Sequence, residues 1–157
     1  MYERILVALD GSEDAEQVLP HVQALAEKFG SEVIVLRATV ATEEVLTATA
    51  PGTAMGDVPL VDPTPIVEAE EDVAVRYLRE VSARLTAAGL RVTTDHQEGP
   101  ASDVIVRRAR ELGVGLIAMT TTGRGGLGRL VFGSVAESVL HHAEWPLLLV
   151  RVAEKKD

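Results

Sequence analysis

Short runs of apolar residues alternate along the chain with longer stretches in which apolar residues recur at helical spacing. The first run, residues 5–9, is continuously apolar, which is typical of a parallel strand covered on both faces. The same reasoning predicts four further strands, at residues 32–38, 91 to about 96, 114–119 and 147–152. The pattern predicts the element order βαβαβαβαβ.

Helices are predicted in each interval between the strands. Serines stand where two of them should be capped, Ser12 and Ser102, and glycines stand where three of them should end, Gly30, Gly89 and Gly113. We expect a bend near Pro20, because an interior proline costs about 3 kcal/mol or kinks a helix. The second helix should begin at residue 66, and the fourth should span residues 134 to about 142.

One segment fits no regular element. Residues 47–65, TATAPGTAMGDVPLVDPTP, contain four prolines and two glycines, which predicts a mobile loop over about 41–65. The chain shows no internal repeat, and its 157 residues are the usual length of one domain. We therefore expect a single domain over residues 1–157.

The element order also predicts the topology. Right-handed crossovers favour an α/β, Rossmann-like fold with a doubly wound five-stranded parallel sheet of order 3-2-1-4-5. Ligands of such sheets bind at the carboxyl ends of the strands where the winding reverses, here between the first and fourth strands. Leu9-Asp10 and Met119-Thr120 end those two strands, so both pairs should border the same crevice.

Composition narrows the functional classes. The formal charge of −9, with no stripe of Lys or Arg, argues against broad binding to nucleic acid or to anionic membranes. The absence of cysteine excludes disulfides, thiol nucleophiles and thiolate metal sites. The first apolar run has only five residues, too short for a signal peptide or a membrane span, so we expect a cytoplasmic protein.

A glycine-rich segment precedes the fourth helix. Residues 119–138, MTTTGRGGLGRLVFGSVAES, hold five of the 13 glycines, and amides of such a loop and of a helix start can surround an oxyanion. Gly133 and Ser134 are the candidate phosphate contacts, although Ser134 and Glu137 could instead form a capping box. GRGGLG also fits the dinucleotide fingerprint, but it does not lead directly from strand to helix, and no lysine completes a Walker loop.

VALDGSEDAEQVL together with GRGGLGRLVFGSVAESVLHHAEWPLLLV resembles the universal stress protein family, and the resemblance spans residues 5–152. Members that bind ATP carry Gly-x2-Gly-x9-Gly-(Ser/Thr), whose last three positions fall on Gly123, Gly133 and Ser134. The first glycine is replaced by Thr120, whose Cβ and hydroxyl occupy space that the motif keeps empty. The resemblance implies an adenine nucleotide as ligand (ATP, or AMP or ADP), with Mg²⁺ near Asp10.

The crevice and the resemblance together give one set of candidate binding residues. They are Ala8, Leu9, Asp10, Ala38, Met119, Thr120, Gly123, Arg124, Gly133, Ser134 and Val135. Ala8, Leu9 and Ala38 are implied to line the adenine slot, and Asp10 to lie near the ribose and metal. Arg124 and Arg129 could add charge at the phosphates, or simply keep the loop soluble.

No catalytic residues are predicted. Neighbouring His141 and His142 diverge by about 100° on a helix, and no Ser-His-Asp order with a recognisable nucleophile turn is present. A receiver domain is disfavoured because a second aspartate and a lysine are missing from the required places. We expect a regulatory protein and leave slow ATP hydrolysis open.

The alternative is a dimeric interaction module that binds no nucleotide. WPLLLVRV is an apolar final strand at the predicted edge of the sheet, where it could pair with a second copy. The resemblance likewise implies a homodimer formed through residues 146–152. The client protein of either form is not indicated by the sequence.

Overall fold

The computed structural model describes residues 1–40, 64–121 and 133–152. Its strands are β1 (Arg4–Ala8), β2 (Glu32–Thr39), β3 (Arg91–Glu98), β4 (Leu116–Thr120) and β5 (Leu147–Val150). Its helices are α1 (Glu13–Glu16), α2 (Leu19–Phe29), α3 (Thr64–Ala87), α4 (Ala101–Leu112) and α5 (Ser134–His142). The expected loop over 41–65 lies outside the described residues, except for its last two, which begin α3. None of the helices described in these three ranges is long and apolar enough to cross a membrane.

The five strands form one parallel sheet of order β3-β2-β1-β4-β5, which confirms the predicted fold class and order. Central β1 pairs with β2 on one side and β4 on the other, and Leu6 lies opposite both Ile34 and Ile117. The winding reverses between β1 and β4. The carboxyl ends of these strands therefore form the switch point at which a ligand crevice is expected.

Aliphatic side chains cover both sides of the sheet. Ile5 and Val7 of β1 pack with residues of α2 and α3, on what we call the α3 face. Leu6, between them in sequence, packs with residues of α4 and α5, on what we call the α5 face. Because alternate strand residues point to opposite faces, the continuous apolar run of β1 fills both layers of core at once.

The first predicted helix is broken in two near Pro20. Ser12 caps α1, and its hydroxyl accepts a hydrogen bond from the Ala15 amide at 3.1 Å. Pro20 lies in the first turn of α2, where its missing N–H removes no intrahelical bond. The expected caps at Ser12 and Gly30 and the expected bend are confirmed.

Several boundaries differ from the sequence-based prediction, most of them by one or two residues. Pro100, not Ser102, precedes α4, and the Pro100 carbonyl accepts from the Val104 amide at 3.0 Å, so the Ser102 cap is wrong. The Val114 amide donates to the Ala109 carbonyl at 3.1 Å and belongs to the end of α4. β4 consequently begins at Leu116 and not at residue 114. β5 ends at Val150 and not at 152.

Candidate functional site

Asp10 follows β1 at the switch point, and Ser12 fixes the orientation of its carboxylate. The amide and hydroxyl of Ser12 both donate to Asp10 Oδ1, at 2.9 and 2.6 Å. The other carboxylate oxygen, Oδ2, makes no hydrogen bond with the described residues. Asp10 is thus a partly buried carboxylate with one oxygen held and one available to a ligand.

The end of β4 and the start of α5 are joined by a hydrogen bond across the glycine-rich segment. The Gly133 amide donates to the Thr121 carbonyl at 2.6 Å, and the Thr121 amide donates to the Val150 carbonyl at 2.9 Å. These bonds bring Thr120, Gly133 and Ser134 to the carboxyl edge of the sheet, beside the strand that precedes Asp10. The motif positions 120, 133 and 134 therefore meet in the structure.

The amino terminus of α5 presents backbone donors. Gly133 is the N-cap, with no side-chain cap, and its carbonyl accepts from the Glu137 amide at 2.9 Å. Ser134 is the first helical residue and is exposed, so the capping-box interpretation is wrong. A helix leaves its first amides without intrahelical acceptors and carries partial positive charge there, so the amides of residues 134–136 can receive an anion. The Gly133 amide already donates to the Thr121 carbonyl. Gly133 can therefore assist a ligand only by having no side chain in front of these amides.

Most of the apolar candidates share one face. Ala8, Ala38, Met119 and Val135 all pack in the cluster of the α5 face, so the structure brings them together as one surface. Leu9 is different, because its side chain is 5% exposed and packs on the α3 face. Its backbone remains at the edge of the sheet, where the Leu9 amide donates to the Leu36 carbonyl at 2.9 Å.

Three further residues considered for the phosphate end lie outside the described residues: Gly123, Arg124 and Arg129. Their roles stay predictions. Within the described part of the chain, no group of three or more His, Asp or Glu side chains is arranged to hold a metal ion. Asp10 would therefore bind Mg²⁺ only together with oxygens of a ligand.

Arg37 is a residue of this edge that the sequence analysis missed. Its guanidinium covers Gly11, and a Cβ built on Gly11 would lie 2.9 Å from Arg37 Cζ. Gly11 also has φ of +86°, a backbone conformation that favours glycine. A lone arginine at the end of the apolar β2 run was the signal that could have pointed to it.

Gly11→Ala should therefore destabilise the protein by about 1–3 kcal/mol, because it adds backbone strain to a clash with Arg37. Gly30→Ala is the matched control, since Gly30 has φ of +65° but no atom within 4 Å of a built Cβ. Thermal unfolding should show the larger loss for Gly11→Ala. Equal losses would mean that the Arg37 side chain moves aside at no cost.

Residues 1–151 match the family model for the universal stress protein family. The chain belongs to this family. A universal stress protein of Methanocaldococcus jannaschii is 29% identical over 156 residues, which covers 99% of this chain and 86% of the relative. The solved structure of the hypothetical protein MJ0577 is 26% identical, covers 99% of both chains and superposes with a TM-score of 0.82.

Two of the similar solved structures are universal stress proteins with a nucleotide bound. One is in complex with cAMP; it is 18% identical, covers 97% of this chain and 98% of its own, and has a TM-score of 0.66. The other, from Arabidopsis thaliana, has AMP bound; it is 14% identical, covers 96% of this chain and 92% of its own, and has a TM-score of 0.65. At these identities the two structures establish a shared fold.

Proposed function

We propose that this universal stress protein binds an adenine nucleotide, ATP above all, in the crevice between β1 and β4, and that it acts as a regulatory protein and not as an enzyme. The observation that carries the proposal is the bond between the Gly133 amide and the Thr121 carbonyl. It sets the open amides of α5 at the same edge as the open oxygen of Asp10. Relatives with cAMP and AMP bound support an adenine nucleotide as the ligand class.

The charges of the site determine the orientation of the nucleotide. The Asp10 carboxylate would repel a phosphate but accept a hydrogen bond from a ribose hydroxyl. The amides of residues 134–136 suit the phosphates. The adenine would then rest on the apolar surface of Ala8, Ala38, Met119 and Val135. Carboxylate oxygens are preferred ligands of Mg²⁺. Asp10 Oδ2 would therefore be the protein ligand of a Mg²⁺ ion that accompanies bound ATP.

Thr120 is compatible with this arrangement. Met119 packs on the α5 face, and adjacent strand residues point to opposite faces, so the Thr120 side chain belongs to the α3 side of the sheet. Thr120 is 7% exposed, so its side chain is accommodated within the protein. We infer that the departure from the glycine motif leaves the adenine slot open.

Isothermal titration of nucleotide-stripped protein with ATP, AMP and cAMP, each with and without Mg²⁺, tests the proposal. We expect micromolar binding of ATP, and Asp10→Asn should remove the part of the affinity that depends on Mg²⁺. If none of the three binds and nothing co-purifies, the interaction module becomes the better explanation. The cytoplasmic location remains a prediction that this titration does not test.

We propose further that β5 pairs with a second copy. The Pro146 and Val150 carbonyls accept from the Ile117 and Thr121 amides, so even-numbered residues of this segment face β4. The backbone groups of Leu147 and Leu149 consequently point to the outer edge, since alternate residues of a strand bond to opposite sides. An unpaired edge of this kind is a template for a further strand.

Leu149→Pro should convert the dimer to a monomer, because proline deletes an outward amide without removing a bond to β4. Light scattering after size exclusion should then give the chain mass of 16.8 kDa, whereas the wild type gives twice that value. Leu149→Val is the control that keeps the amide and should stay dimeric. A Leu149→Pro protein that remains folded and dimeric would place the interface elsewhere.

A further inference from the structure

A cavity of about 250 Å³ lies between the β1–α1 turn, the end of β2 and α3. Its lining residues are Gly11, Arg37, Val73, Arg76, Tyr77 and Glu80. Arg37 points to the α3 face, because its neighbours Leu36 and Ala38 both pack on the α5 face. The cavity is therefore on the other side of the sheet from the proposed adenine slot.

Arg37 brings an unneutralised charge to this cavity. Its side chain is partly buried, and it makes no hydrogen bond or ion pair with the described residues. Its guanidinium lies over the ring of Tyr77, with Cζ 5.2 Å from the ring centroid. A cation–π contact of this kind leaves the N–H donors of the guanidinium unused. These donors are therefore available to an anion that enters the cavity.

Tyr77 contributes its ring to the cavity and not its hydroxyl. The hydroxyl is buried away from solvent, so a ligand in the cavity does not reach it. Burial, followed by the negative charge of the nearby Glu16 carboxylate, raises the pKa of Tyr77 above its usual value. The ring is the surface against which the Arg37 guanidinium lies.

Arg76 and Val73 complete the wall on α3. Arg76 is exposed at the cavity and, like Arg37, has no ion pair with the described residues. Val73 supplies an apolar surface that is 53% exposed. Two arginines and one carboxylate, that of Glu80, line the cavity, and further carboxylates act on it from nearby. The attraction for an anion therefore comes from direct contact with the two guanidinium groups and not from the net charge of the region.

We propose that this cavity binds a small organic anion, a carboxylate or a phosphate monoester, through the guanidinium groups of Arg37 and Arg76. A guanidinium matches either anion with two parallel N–H donors. The apolar part of the ligand would rest on Val73. The volume is below the range of roughly 300–1,000 Å³ that drug-sized ligands occupy, so the ligand is smaller than a nucleotide.

Titration of the full-length, nitrogen-15-labelled protein with phenyl phosphate and with benzoate tests the proposal by amide chemical shifts. We expect saturable shifts at Gly11, Val73 and Tyr77, and the tighter of the two probes identifies the anion class. Arg37→Gln should weaken this binding by about tenfold or more. Tyr77→Phe, which keeps the ring beneath Arg37, should leave the affinity within about twofold.

Arg79→Gln is the matched control. Arg79 lies on the same helix, is exposed and does not line the cavity, and its substitution changes the net charge equally. It should leave the affinity within about twofold. Shifts that never saturate, or that weaken equally in Arg37→Gln and Arg79→Gln, would overturn the proposal. If Arg37→Gln disturbs the fold, Arg76→Gln decides, because it removes an exposed guanidinium of the same cavity and should weaken the binding by a few-fold.

This site and the proposed nucleotide site can fail separately. Shifts at residues 133–136 that survive Arg37→Gln belong to the nucleotide crevice and do not support the cavity. Conversely, a protein that binds no ATP but shows saturable shifts at Gly11 and Val73 would retain the anion site and lose the nucleotide function.

Discussion

We expect Gly133→Val to lower the affinity for ATP by about a hundredfold or more while the protein stays folded. Gly133 has φ of −58° and ψ of 153°, a conformation that valine adopts without strain. The backbone bond to Thr121 can therefore persist. The added side chain would stand in front of the amides of residues 134–136 and displace the phosphates. The loss of two or more charge-assisted hydrogen bonds accounts for a change of this size.

Calorimetric titration measures the loss, and Gly133→Ala is its control. Both variants replace a glycine N-cap and should lose about 1 kcal/mol of stability, or about 2–4 °C in melting temperature. Only their side-chain volumes differ, so the alanine variant should keep more affinity than the valine variant. Unchanged ATP binding in a folded Gly133→Val protein would move the site away from the start of α5.

Strand order and site location follow from local patterns in the sequence. The continuous apolar runs predict parallel strands, and parallel order then places Asp10 and Thr120 at neighbouring strand ends without further information. The starts of α4 and α5 were harder to predict than that of α1, because a backbone carbonyl and not a serine side chain begins each of them. Pro100 begins α4 through its carbonyl, and Gly133 does the same for α5, although serines stand one or two residues later.

Side-chain directions and contacts between distant residues could not be predicted in the same way. Leu9 was expected in the adenine slot, but the strand alternation turns its side chain to the α3 face. Arg37 and Tyr77 are 40 positions apart and meet only because α3 packs over the end of β2. Gly123 and Arg124, outside the described residues, stay predictions of the motif alone.

The largest loss of stability should come from Leu6→Ala, at about 3–5 kcal/mol. Leu6 is 0% exposed and lies in the central strand, with Ile34 and Ile117 as its partners in the neighbouring strands. Both adjoining strands are themselves held in the sheet, so they cannot easily close the cavity that the substitution leaves. Urea unfolding should show a lower midpoint with an unchanged slope. A loss below about 1.5 kcal/mol would mean that the α5 face closes around the cavity.

Leu140→Ala provides the same chemical change at a site that is 46% exposed, and should alter the stability by no more than about 0.5 kcal/mol.

The two variants, Leu6→Ala and Leu140→Ala, also test whether the core supports the proposed slot, because Leu6 and Ala8 point to the same face of β1. A ligand at one hundred times its Kd stabilises a folded protein by about 2.7 kcal/mol. If Leu6→Ala leaves the slot intact, ATP should add the same increment to both variants at equal saturation. A smaller increment in Leu6→Ala alone would show that packing beneath Ala8 holds the adenine surface in its binding shape.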